Sequence, residues 1–133
     1  MTADAAAGPK WVKWAGFVLS GLVIAFLAMD FTMKLMQLDI VKSTGLELGW
    51  AEETALPLGV TLLACTFLYA VPQTAVLGAV LLTAYLGGAV ATHVRVGSPQ
   101  FSHVLFGVYL GLFVWGGLWL REPRLRALLP LRR

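Results

Sequence analysis

Charge is what this chain has least of. Charged residues make up 13% of its 133 positions, against 59% hydrophobic, and the mean hydropathy of +0.80 lies outside the balance of a water-soluble domain of this size. Cysteine is almost missing too. Cys65 stands alone, which excludes an intramolecular disulfide and any paired-thiol redox motif carried by this chain itself. A nucleic-acid partner is also excluded, despite a pI of 9.4, because the basic residues gather at the two ends beside apolar spans, where they orient a membrane protein.

What the chain does have is long apolar runs. A helix of about 20 apolar residues crosses roughly 30 Å of hydrocarbon, and four such runs are legible at about 14–35, 55–71, 74–96 and 100–120. The predicted fold is an all-α integral membrane protein, a bundle of four transmembrane helices. Trp11 and Trp14 suit the interfacial belt at the start of span one. Glu52 and Glu53 fall where the positive end of the span-two helix favours carboxylates, and Pro72 ends that span. Ser98 reads as the cap and Pro99 as the first residue of span four. Lys10 and Lys13 precede span one, and Arg121, Arg124, Arg126, Arg132 and Arg133 follow span four, so both termini are expected in the cytoplasm. The first loop, 37–54, then lies outside. Residues 1–10 read as a disordered leader rather than a signal peptide, and 122–133 as a basic amphipathic tail at the membrane surface.

This topology sorts the polar residues by depth. At 1.5 Å per residue Asp30 lies about 24 Å along span one, close to its outer end, with Lys34 one turn further on the same face. His93 and Arg95 close span three on that side, His103 opens span four there, and Thr61 lies in the outer part of span two. The cytoplasmic half reads as almost purely apolar. Ionisable groups at membrane depth pair or face a bundle interior, so the polar level predicts an outward-facing pocket, with Asp30 partnered by Lys34 or Arg95. The candidate ligand-binding set is Asp30, Lys34, Thr61, Tyr85, Thr92, His93, Arg95 and His103. No catalytic residue is assigned, and no metal is expected, since the two histidines sit on different helices without metal-ligand spacing. Thr61, Cys65 and Tyr69 recur every fourth residue and read as a packing seam. The spacing of Gly107 and Gly111 permits either close packing inside the bundle or a homodimer through span four.

These residues are specific enough to carry a resemblance. DFTMK at 30–34, LGW at 48–50, ACTFLYAVPQTAVLGAVLLTAYLGGAVATHVRVG at 64–97 and WGGLWLREPRLRALLP at 115–130 resemble the DoxX-like family of small four-helix bacterial membrane proteins. The resemblance implies a left-handed four-helix bundle in the bacterial inner (cytoplasmic) membrane. The wider group is similar to membrane subunits of thiosulfate:quinone oxidoreductases and to animal membrane chaperones that assist assembly of nicotinic acetylcholine receptors. Where this chain has Thr61, the family commonly has a glutamate.

Three functions compete at this point. The first is a binding or assembly-factor protein without an activity of its own, whose pocket holds a lipid, quinone or isoprenoid-like molecule or a helix of another membrane protein. The second is the quinone-site subunit of an oxidoreductase. The third is a small-molecule transporter, disfavoured because Asp30 lies near the end of its span with Lys34 beside it.

Overall fold

The computed structural model describes residues 9–132, so residues 1–8 of the expected leader and Arg133 of the tail lie outside the described residues. Among the described residues six α-helices follow one another. These are α1 (Lys10–Leu35), α2 (Asp39–Glu47), α3 (Ala55–Ala70), α4 (Ala75–Val96), α5 (Phe106–Arg121) and α6 (Pro123–Leu128). Among the described residues four stretches are long and apolar enough to cross a membrane: Lys10–Leu35, Glu52–Ala70, Pro72–Val96 and Gln100–Arg121.

The punctuation of the chain explains most of these boundaries. Helix α1 starts directly after Pro9, one turn before the expected Trp14. Pro72 lacks the N–H that would continue α3, and a single 3₁₀ turn, Pro72–Thr74, reverses the chain into α4. Helix α4 ends where Gly97 turns left-handed at φ 74° and the Ser98 N–H reaches back to the His93 carbonyl at 3.0 Å, a C-terminal cap that only glycine adopts without steric cost. The fourth span departs from expectation. Pro99 stands before it rather than in its first turn, and the chain enters through a π-helical turn, Gln100–Val104. Ser98 is not the helix cap, because its hydroxyl is engaged by His93 Nδ1 at 2.9 Å.

The spans form a ring in which α1 packs on α3 and α5, and α4 packs on α3 and α5. Successive crossings return the chain each time, so Lys10 and Arg121 share one end of the bundle. The core between the spans is made by Val23, Leu27, Leu62, Tyr69, Leu82 and Val114 among others, all essentially solvent-free. Close backbone approach is set at alternating ends. At the terminal end a Cβ on Gly117 would collide with the Ser20 hydroxyl and lie 2.8 Å from its backbone nitrogen, which zips α5 to α1. A Cβ on Gly78 would strike the backbone of Tyr69, which zips α4 to α3. At the far end the tight seams are the other two: Gly59 sits against Lys34, and Gly107 against Val90 and the Leu86 carbonyl, 3.1 Å from where a Cβ would be. The far end is thus built as two pairs, α1 with α3 and α4 with α5. Gly107 is used inside the chain, while Gly111 faces open space.

The half of the bundle nearest the termini, expected to be almost purely apolar, is not. Arg121 Nε donates to Ser20 Oγ at 3.2 Å, Ser20 and Tyr69 share a hydrogen bond of 2.9 Å, and the Tyr69 hydroxyl donates to the Val114 carbonyl at 2.6 Å. Since the single phenolic proton goes to Val114, Ser20 must donate to Tyr69, and a continuous chain runs from a guanidinium to a backbone carbonyl. The Arg121 guanidinium also lies 5.4 Å and 5.6 Å from the ring centroids of Phe17 and Tyr69. Arg121 therefore reaches back into the bundle. The tail is more structured than its composition suggests: Leu125 of α6 is buried, Arg126 donates to the Trp119 and Leu120 carbonyls that end α5, and Trp119 Nε1 donates to the Leu129 carbonyl at 2.8 Å.

Candidate functional site

Between the two helix pairs at the far end lies a cavity of about 700 Å³. Its inner walls come from Phe26, Asp30 and Lys34 of α1, from Tyr85, Gly88, Thr92 and His93 of α4, and from His103 and Phe106 at the start of the fourth span. Glycine and alanine at Gly88, Ala84 and Ala89 leave the space that larger side chains would fill. Phe26 and Phe106 meet edge to face with centroids 5.2 Å apart, spanning α1 and α5 at the cavity wall. The outer wall is α2 and the loop after it, through Ile40, Val41, Thr44, Leu48, Trp50 and Glu52.

Asp30 and Lys34 form the ion pair that their spacing predicts, through Asp30 Oδ1. The pair is only part-buried, and unequally so: 18% of the lysine side chain is exposed and 32% of the aspartate. The carboxylate is the more open partner. On the opposite wall His93 Nδ1 pairs with Ser98 and His103 Nδ1 with Ser102, at 2.9 and 2.7 Å, and the two imidazole rings stand 5.8 Å apart, edge to face. The Thr92 hydroxyl donates to the Gly88 carbonyl at 2.8 Å. Tyr85 differs: its ring packs on the core, its hydroxyl lies within electrostatic reach of Asp30, and it makes no hydrogen bond to any described residue.

Six of the eight residues singled out by the sequence line this one cavity: Asp30, Lys34, Tyr85, Thr92, His93 and His103. Two do not. Thr61 is exposed on the outside of α3, its hydroxyl returned to the Pro57 carbonyl at 2.8 Å. The Thr61, Cys65, Tyr69 stripe is accordingly a seam only at its last two members, which are buried. Arg95 does not reach Asp30. It lines an adjoining depression of about 230 Å³ with Gly49 and Ala91, and with Leu48, Trp50 and Thr92, which also line the cavity. The residues that sequence reasoning missed are those of the outer wall. Their signal is Ile40, Val41, Thr44 and Leu48 at helical spacing within a segment read only as an outer loop, next to the LGW motif that it already contained.

Each histidine is bonded to a neighbouring serine hydroxyl, but among the described residues neither has a further hydrogen-bonded group to orient its ring as a triad requires, and no three His, Cys, Asp or Glu side chains stand close enough to hold a metal. What it offers is an apolar chamber with a small number of polar groups on two facing walls, the general form of a ligand pocket. The fold and this chamber define a small multi-pass membrane protein of four helices. The chain belongs to the DoxX-like family, whose family profile matches residues 18–117. The match covers most of the first and fourth candidate spans and all of the second and third, with the Asp30–Lys34 pair and the whole cavity wall, and stops before Arg121 and α6. Neither a curated protein nor a solved structure matches the chain.

Proposed function

We propose that this protein binds a lipid-like molecule, an apolar chain carrying a polar head, in the cavity at the end of the bundle away from its termini. In this reading the termini are cytoplasmic, by the excess of Lys and Arg beside them, the cavity opens in the outer half of a cytoplasmic (inner) membrane, and the ligand arrives from the surrounding lipid. The observation that carries it is the cavity itself. Its volume of about 700 Å³ falls in the range of small-molecule sites, and its walls combine Phe26, Leu27 and Phe106 with the Asp30–Lys34 pair. A phospholipid, a quinone and an isoprenoid alcohol all share the required form.

The apolar portion would lie against Phe26, Phe106 and the small residues of α4, and the head would meet Asp30, Tyr85 and the histidines. A charged pair at membrane depth that already neutralises itself holds a head by hydrogen bonding rather than by net charge. The test is ligand-induced thermal stabilisation of the purified protein across a panel of phospholipids, quinones and isoprenoid alcohols. At least one class should raise the melting temperature in a saturable way, and Asp30→Asn should weaken that rise. Equal melting temperatures across the whole panel would remove the reading.

A further inference from the structure

Resting on the cavity as a binding site, we infer that its ligand carries an uncharged hydroxyl head, a long-chain alcohol rather than an anionic lipid or a molecule whose head can only accept hydrogen bonds. The charge around the cavity is balanced. Among the residues that line it, Lys34 and Lys42 are matched by Asp30 and Glu52, so the cavity itself presents no excess of cations to a phosphate or a carboxylate, and Arg95 lines the adjoining depression instead. The cation on the inner wall of the cavity is spent, because the Lys34 ammonium is bonded to Asp30 Oδ1 and is the less exposed of the two.

The groups left with unused capacity are an acceptor and a donor. Lys34 takes one carboxylate oxygen of Asp30, and no described residue donates to the other. Tyr85 lines the same cavity as Asp30, and its hydroxyl has no hydrogen-bond partner among the described residues. The remaining polar groups of the inner wall, Thr92, His93 and His103, already have partners at 2.7 to 2.9 Å. An alcohol satisfies both open groups at once: its O–H donates to Asp30 Oδ2 and its oxygen accepts from Tyr85. A phosphate would face the open carboxylate with like charge, and a bare carbonyl would leave the carboxylate without a donor. A desolvated acceptor left unpaired is the costly outcome.

The experiment uses the full chain in nanodiscs and probes that share one hexadecyl chain: hexadecanol, hexadecyl methyl ether, hexadecanoate and hexadecyl phosphate, with occupancy read by native mass spectrometry. Hexadecanol should bind about tenfold more tightly than the ether, the size expected for one hydrogen bond to a charged acceptor, and more tightly than either anion. Tyr85→Phe should lower hexadecanol affinity about fivefold, as expected for loss of a neutral hydrogen bond. Without probe it should melt like the native chain, since the hydroxyl bonds nothing within the protein. Equal affinity for alcohol and ether, tighter binding of an anion, or unchanged affinity in Tyr85→Phe overturns the inference. Gly88→Phe separates its failure from that of the cavity itself. Gly88 lines the cavity with nothing within 4 Å of an added Cβ, so a phenyl ring there should block every probe. If all four probes bind Gly88→Phe as they bind the native chain, the cavity is not the binding site and the proposed function falls with the inference.

Discussion

The two ends of this bundle solve the same problem in opposite ways. At the terminal end polar groups are consumed: Arg121, Ser20 and Tyr69 form one hydrogen-bonded chain ending on the Val114 carbonyl, and glycines let the backbones touch. At the far end the helices pair off around a cavity of about 700 Å³, with Asp30 and Tyr85 keeping hydrogen-bonding capacity in hand. Lipid is as apolar as the helix surfaces, so spans associate through close packing and interhelical hydrogen bonds rather than through the hydrophobic effect. The terminal end has both in full. That asymmetry lets one end hold the bundle together while the other stays open.

The most forceful way to break this contrast is to add one methyl group at each end. Gly78→Ala places a Cβ against the backbone nitrogen of Tyr69, where no flexible side chain can yield. It should cost about 2–3 kcal/mol, the upper part of the range for overpacking, in equilibrium unfolding from mixed micelles. Gly88→Ala meets nothing within 4 Å and should not lower the unfolding midpoint but raise it slightly, by the roughly 0.5–1 kcal/mol that glycine costs inside a helix. Equal losses at the two sites would mean that the far end is as tightly built as the terminal end.

Tyr69→Phe comes next. It removes the proton given to Val114 and the acceptor used by Ser20 while leaving the buried ring. Interhelical hydrogen bonds in membranes contribute modestly, so a loss of about 1 kcal/mol is expected. Ser20→Ala combined with it should add less than its own separate cost, because both remove the same bond. Full additivity would show that the chain from Arg121 to Val114 does not act as a unit.

How much of this was legible in the sequence depended on range. Apolar run lengths and Pro72 and Gly97 report on themselves and their immediate neighbours, so the number of spans and most of their ends could be read directly. The Asp30–Lys34 pair is likewise local, one helical turn apart. Thr61 failed because depth along a helix is simple to estimate and direction around it is not: at the right level, it points outward. Arg121 failed for the opposite reason. As one of several arginines after a span it reads as a topology signal, and only its meeting with Ser20, 101 positions away in sequence, shows that it turns inward. The outer wall of the cavity was hidden because α2 is a helix with no buried residue, too short and too polar to stand out between two apolar runs.

Asp30→Asn should separate stability from binding. The ion pair is part-exposed, so its loss should cost at most about 1 kcal/mol, less than Gly78→Ala, yet it changes the group that faces the ligand head. The unliganded midpoint should therefore move little, while the stabilisation gained from an isoprenoid alcohol falls. A large drop in the unliganded midpoint with ligand stabilisation intact would make Asp30 a structural anchor and place the far end in the same class as the terminal end.

The smallest expected effect tests whether α2 belongs to the bundle or only leans on it. The helix hangs between two left-handed residues, Gln37 at φ 54° and Gly49 at φ 89°, and only the second is a glycine. Gln37→Gly removes a steric penalty of about 1 kcal/mol but gives back about 0.5–1 kcal/mol through the greater freedom of glycine in the unfolded chain. The net change should be a gain of a few tenths of a kcal/mol at most, by the difference of those two terms. Because α2 buries no residue, that gain should appear as slower hydrogen exchange in α2, with the midpoint of the four spans unchanged. A shift of the whole transition comparable to that of Gly78→Ala would mean that α2 unfolds with the core. The outer wall of the cavity would then be as rigid as the glycine seams at the other end.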